Sequence, residues 1–439
     1  MTINSAHPNT SASDLRLLLS QHAPILPKEE LRLFVGAFFA RRQEYLDIMD
    51  NHPSPLYVIE EEVLKRRSMQ FQAAFRNHIA NVSFYFAVKS NNHPDIARIL
   101  LQTGVGLDVS SGLELDMALG LDAPDIVFSG PGKTKAELQQ AVQASDRLTV
   151  LVDSFNELAQ LGEIAAAKNK QVRVGVRLSA NMHGLWRKFG IPPEELGSFM
   201  EKIGHYPQLQ FQGIQFHSSW NLTPKKQVEF IHSLGKTLGQ FPKQALAQVR
   251  FIDIGGGFWI PQGEWLQEAT TEAGILRKAL GISPGKNKKH YRLPALPLET
   301  FAQQIGSAIN NHILPILPGC RIYCEPGRWL CNDSMHILLT VVDKKRPDLV
   351  ITDGGTNAVG WERFESDYFP VLNLSRPALY EQSCDILGSL CTPHDVWGYN
   401  YFGEDIRIGD VLMIPTQGAY TYSLRQNFIK PLPEVVILA

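Results

Sequence analysis

The chain has 439 residues, more than one hydrophobic core usually organises, so two domains and a sizeable interior are expected. Apolar residues at 44% and charged residues at 20% match globular averages and argue against a disordered, collagenous or coiled-coil protein. A net charge of -2 supplies no general attraction to phosphate backbones or anionic lipid, so neither nucleic acid nor membrane is expected as a partner.

The opening MTINSAHPNTSASDLRLLLSQ lacks a basic region followed by a long apolar run, and no stretch reaches the length needed to cross a bilayer. Residues 1–54 read as a loose tail followed by helices in SDLRLLLSQH and PKEELRLFVGAFFARRQEYLDIMD, with Ser13 and Pro27 as start signals. Their apolar faces are expected to cover the main fold. Cysteines at 320, 324, 331, 384 and 391 include no CxxC pair, which favours reduced thiols and a cytoplasmic location over a disulfide framework or a zinc site.

From residue 55 short apolar runs alternate with helical stretches such as HPDIARILLQ and TKAELQQAVQ. The strand candidates are Ser83–Val88, Val105–Val109, Ile126–Phe128, Thr149–Val152, Val172–Val176, Gly213–Phe216, Phe251–Ile254 and Ile322–Cys324. Repeated βα units imply a parallel sheet with helices outside, and this count predicts an α/β fold with a closed (β/α)8 TIM-like barrel over 55–330. After Arg328 the rhythm fades. HILLTVVDKKR, DLVITDGG, DVLMIPTQGAY and PEVVILA read as strands of a second, mostly β domain over 331–439. The lysine-rich GKNKKHYR reads as a solvated excursion.

Polar residues fall where barrel chemistry belongs. Lys89, Asp108, His217, the run Gly255-Gly256-Gly257 and Glu325 each end a strand candidate, and in a barrel these ends share one face. An ammonium at the end of FYFAVKSNN is costly without a covalent or charged partner, although a lysine there can also reach solvent. The glycines would let backbone N–H groups close around a phosphate, or would simply make a tight turn. Glu325-Pro326-Gly327-Arg328 offers a guanidinium suited to phosphate and a carboxylate suited to a protonated ring nitrogen.

With these motifs in place the chain resembles the ornithine and diaminopimelate decarboxylases, the fold-type III pyridoxal enzymes. The resemblance is carried by PLYVIE at 55, FAVKSN at 86, GLDVSSGLEL at 106, KFGI at 188, QFHSS at 215, DIGGGF at 253, CEPGR at 324, LCTPHD at 390 and GAYTYS at 418. It implies pyridoxal 5'-phosphate as cofactor, an amino-acid-like small-molecule substrate and a homodimer with shared active sites. It implies further that Lys89 carries the cofactor, Glu325 faces its pyridine nitrogen and His217 stacks on its ring. Gly256, Gly257, Arg328 and Tyr420 look like the phosphate cradle, with Asp108 also in the cofactor site. Cys391 matches a cysteine that reaches across the dimer to protonate the substrate carbon, and Asp353 and Thr392 match positions near the substrate's far end. For His217 and Cys391 the alternative is a packed core residue, and for Asp353 a turn cap.

Two departures stand out. Relatives acting on basic amino acids commonly carry Asp or Glu after the cysteine, where this chain has Thr392. A lost carboxylate removes a charge-assisted hydrogen bond worth ~1.5–3 kcal/mol, so a modified or conjugated substrate of a specialised pathway is expected. In QFHSSWN, Trp220 occupies the place of a phosphate-binding serine, leaving Ser218 or Ser219 to substitute. A racemase on the same barrel would need bases on both faces of the substrate carbon, and a non-catalytic regulator would show decay of Lys89, Glu325, Arg328 or Cys391; all four are present.

Overall fold

The computed structural model describes residues 24–181, 183–281, 289–360 and 367–438. The helix expected from Ser13 lies outside the described residues, as does the first half of GKNKKHYR. Eight parallel strands close a barrel in chain order: Val82–Ala87, Gly106–Val109, Ile126–Phe128, Leu148–Val152, Val172–Leu178, Leu209–Phe216, Phe251–Asp253 and Arg321–Cys324. The last pairs in parallel with the first, Ile322 opposite Val82, so the sheet has no free edge. Every expected strand is present.

Helices follow the strands because local signals start them. His93 accepts from the Asp95 N–H ahead of Pro94–Gln102, and Thr134 with Glu137 makes a capping box for Lys135–Gln143. Their inward faces, Ile96, Ala97, Ile99 and Leu100 in the first, are fully buried.

The barrel interior is built in layers by the two-residue period of the strands. Tyr85, Val127, Leu151, Phe251 and Tyr323 form an apolar plug, with the Phe251 and Tyr323 rings stacked at 4.4 Å. Glycines leave room for these rings: a Cβ at Gly213 would lie 2.2 Å from Phe251, and one at Gly106 2.6 Å from Tyr85. Two residues further along the same strands stand Asp108, Ser129, Asp153, Arg177, Gln215, Asp253 and Glu325, all buried. The plug excludes water from below, so the polar layer opens only at the carboxyl end.

The second domain is an eight-stranded sheet that takes strands from both ends of the chain. Leu56–Glu60 pairs antiparallel with Met335–Arg346 and parallel with Glu434–Leu438, so PLYVIE belongs to this sheet. The expected barrel segment 55–330 therefore opens with a strand of the other domain. All five of its residues are buried, and a strand covered on both faces has no pattern that assigns it to one sheet. Glu381–Leu387 and Val396–Phe402, not anticipated as strands, complete the sheet around the loop that carries Cys391.

The N-terminal segment forms two helices, Lys28–Ala40 and Arg42–Asn51. Leu31, Val35 and Tyr45 pack with Leu56, Val58 and Leu338 of the β-domain and with Trp265. The described half of GKNKKHYR is only partly solvated: Lys289 is exposed, but Tyr291 is buried in a strand pair with Glu264–Leu266. Leu26 N–H donates to the His290 carbonyl at 2.9 Å and Tyr368 N–H to Trp265 at 3.0 Å. The excursion after the glycine run thus ties the N-terminal helices, barrel and β-domain together.

Candidate active site

Lys89 lies in the tight turn Val88–Ser90 that directly follows the first barrel strand. Its side chain is 34% exposed, and its ammonium donates to Asp108 Oδ2 at 2.8 Å. Ser129 Oγ donates to the other Asp108 oxygen at 2.6 Å. Burial disfavours the Lys89 charge, but Asp108 and then Glu325 outweigh it and hold the ammonium above its ordinary value. Glu325 is 2% exposed; burial first, then Asp108 and Asp253, push its carboxyl well above the usual range. Asp253, on the neighbouring strand, is pushed up to about 6 chiefly by burial, against the pull of its bond to Glu325 and of Gly255 N–H at 2.8 Å.

The loop Gly255-Gly256-Gly257 runs between His217 and Glu325. Gly256 N–H donates to His217 Nδ1 at 3.1 Å, which leaves the imidazole proton on Nε2, 3.1 Å from Ser219 Oγ. Burial, helped by the charges of Lys89 and Arg177, holds His217 well below its ordinary value, so the ring is neutral. Side chains cannot fit the loop. A Cβ at Gly256 would lie 2.1 Å from the Glu325 carbonyl, and Gly257 adopts φ 79°.

Arg328 opens the short helix Arg328–Cys331. Its guanidinium lies 4.3 Å from the Trp259 ring centroid and 5.1 Å from that of Tyr420, and no carboxylate among the described residues pairs with it. A half-buried guanidinium with free donors beside side-chain-free backbone fits a phosphate. A lysine and an acid at the ends of neighbouring barrel strands fit the aldehyde and ring nitrogen of pyridoxal phosphate.

The family model described as "Pyridoxal-dependent decarboxylase, pyridoxal binding domain" matches residues 62–332. The chain belongs to this family. Its reaction class is decarboxylation of an amino acid or amino-acid derivative, with pyridoxal phosphate as cofactor. The diaminopimelate decarboxylase of Aquifex aeolicus is 26% identical over 94% of this chain and 91% of its own length. The L-glutamyl-(BtrI acyl-carrier protein) decarboxylase of Niallia circulans is also 26% identical, over 84% and 85%. Among solved structures, diaminopimelate decarboxylase from Helicobacter pylori complexed with L-lysine superimposes with a TM-score of 0.73 at 22% identity, covering 90% of this chain and 94% of that one. Among the described residues no helix is long and apolar enough to cross a membrane.

Of the β-domain residues, Tyr420 reaches this cluster, whereas Cys391, Thr392 and Asp353 make no hydrogen bond to it among the described residues. Cys391 is exposed in the loop after Glu381–Leu387. Asp353 is engaged on both oxygens: Oδ1 accepts from Thr340 N–H at 3.0 Å and Oδ2 from the Ser54 hydroxyl. Of the two serines after His217, Ser219 bonds that ring and Ser218 bonds Asn221.

Four further groups escaped the sequence reading. Arg177 and Asp153 end adjacent barrel strands 3.9 Å apart. Buried Asp395 accepts from Thr356 N–H and Leu390 N–H, each at 2.7 Å, and so braces the Cys391 loop. Glu114 accepts from Ser110 N–H at 2.6 Å, and burial pushes its carboxyl up to about 7. Counting two residues on from each apolar strand position would have found Arg177 and Asp153. Asp395 and Glu114 carry no such signal.

Proposed function

We propose that this chain decarboxylates an amino acid whose distal end is neutral, extended or conjugated to a carrier, rather than one ending in a bare ammonium. One observation carries the reading: where relatives acting on basic amino acids place an acid after the cysteine, this chain has an uncharged residue. Thr392 follows Cys391, and both oxygens of Asp353 already accept from Thr340 and Ser54. A buried ammonium without a counter-charge is strongly disfavoured, whereas a neutral or extended group bears no such cost. The Niallia circulans relative, by its name, acts on a glutamyl group attached to a carrier protein.

Pyridoxal phosphate supplies the electron sink for the carbanion left by carbon dioxide. Lys89 would hold its aldehyde carbon, with Asp108 keeping the Lys89 nitrogen in place. Glu325 would face the pyridine nitrogen as its carboxyl partner and favour the protonated ring, which makes the better electron sink. The neutral His217 imidazole stacks on the ring without adding charge. Arg328, Gly256, Gly257 and Tyr420 bind the phosphate. Cys391 of a second copy of the chain delivers a proton to the substrate carbon, which makes a homodimer the working unit. Five free thiols fit a reducing compartment such as the cytoplasm.

Steady-state kinetics on ornithine, lysine, diaminopimelate and their distal amide or thioester conjugates tests the substrate class. The conjugates should give the higher kcat/KM. Values of ~10⁴ M⁻¹s⁻¹ or more for a free diamino acid, with conjugates slower, overturn it.

A further inference from the structure

Among the aromatic rings ordered around Arg328, Trp259 and Trp220 go unused by the roles above. Trp259 follows the glycine run, is buried, and stacks 4.3 Å from the Arg328 guanidinium, while Tyr420 stands 5.1 Å from the same group. Trp220 extends the column, its ring 6.0 Å from Trp259 and tilted by 32°. Trp220 and Tyr420 both adopt left-handed backbone, φ 56° and 59°, a conformation that a bulky residue keeps only where its surroundings impose it. The surroundings here are backbone bonds. Asn221 N–H donates to Gly257 at 3.0 Å, Trp259 N–H to Asn221 at 3.3 Å, and Tyr420 N–H to Ser90 at 2.7 Å. The column is therefore laced to the glycine loop on one side and to the Lys89 turn on the other.

A guanidinium carries its donors in its plane and presents its faces to aromatic rings. Rings against those faces restrict rotation and leave the N–H edge for an anion. We propose that Trp259, backed by Trp220, is the positioning residue for Arg328, fixing the guanidinium plane before the cofactor phosphate arrives. The competing carboxylate is Glu264, which feels the Arg328 charge without pairing with it. Preorganisation of this kind raises affinity because little freedom remains to be lost on binding. The inference rests on Arg328 binding the phosphate.

Apo-protein is titrated with pyridoxal 5'-phosphate and, separately, with pyridoxal, which lacks the phosphate; cofactor absorbance and the melting midpoint of the apo-protein are followed together. Trp259→Leu should weaken pyridoxal phosphate binding ~10–100-fold and leave pyridoxal binding within about threefold, with Trp259→Phe close to the parent in both. Trp220→Ala changes a side chain that is 61% exposed and spares the core; it should weaken pyridoxal phosphate alone by roughly 2–5-fold. In an Arg328→Met background, Trp259→Leu should add less than about twofold. Equal losses for the two ligands, unchanged affinity in Trp259→Leu, or full additivity with Arg328→Met overturns the inference while leaving Arg328 as the phosphate ligand. Unchanged affinity in Arg328→Met alone overturns both.

Discussion

Lys89 and Lys133 both lie in segments that follow barrel strands, and their surroundings decide which is free for chemistry. Lys133 is 1% exposed and spends its three donors on Glu157, Gly130 and Leu151, each at 2.8 Å. Lys89 has only Asp108 among the described residues. Borohydride reduction of the loaded protein followed by peptide mapping should place the pyridoxyl group on Lys89; a reproducible adduct on Lys133 would refute the assignment. Because Asp108 and Glu325 hold the Lys89 ammonium above its ordinary value, only a small fraction is neutral amine at pH 7. Cofactor uptake by the apo-protein should therefore accelerate from pH 7 to 9, by up to about tenfold per unit, and a flat rate would show that the amine is already free. Glu114 sets a stability trend of its own. Its folded value of about 7 exceeds the ordinary 4.5, so its contribution is fully present below pH 4.5 and lost as pH rises through 7. Glu114→Gln should be more stable than the parent at pH 8, by up to about 3 kcal/mol, and equal to it at pH 4. Urea titrations at the two pH values measure this.

At the scale of elements, the N-terminal helices are pinned by one buried carboxylate. Glu60 accepts from Tyr45 at 2.6 Å and from Arg41 and His336 at 2.7 Å each. Burial alone would raise its pKa, but the bonds from His336, Tyr45 and Arg41 bring it down to about 2. The contribution is therefore present above pH 4.5 and lost as pH falls toward 2. Arg41, whose backbone leaves helical geometry between the two helices, donates both to Glu44 and across to Glu60. Glu60→Leu strands three buried or half-buried donors and should cost about 3 kcal/mol at pH 7, with faster proteolysis near residue 52. Unchanged proteolysis and stability would mean that the apolar contacts of Leu31 and Val35 suffice. The same network explains why residues 27–50, which read as one helical stretch, are two helices. The apolar spacing continues through the break, and the carboxylate that fixes Arg41 lies 19 positions away.

For the whole molecule, the exposure of the Cys391 thiol is the decisive geometry. Cys391 is exposed on a loop whose shape is set by Asp395, a loop rigid enough to present a thiol to another surface. If sites are shared, Lys89→Ala and Cys391→Ala proteins, each inactive, should regain up to about a quarter of parental activity after subunit exchange. No recovery in verified heterodimers would place both groups on one chain. Asp395→Ala should lower kcat more than cofactor affinity, since the loop and not the barrel is loosened.

By itself the sequence determined the barrel strands, the positions of Lys89, Asp108, His217 and Glu325 at their ends, and the family. These are local facts: period-two burial, caps such as Thr134, and glycines where a side chain would strike backbone. Only the tertiary structure decided the rest. It placed Leu56–Glu60 in the far sheet, because a strand buried on both faces pairs with whichever edges reach it, here Met335–Arg346 and Glu434–Leu438. It engaged Asp353 with Ser54 and Thr340, and it aligned Trp220, Trp259 and Tyr420 around Arg328. Such contacts join segments tens to hundreds of residues apart, and no local spacing encodes which distant donor or ring will arrive.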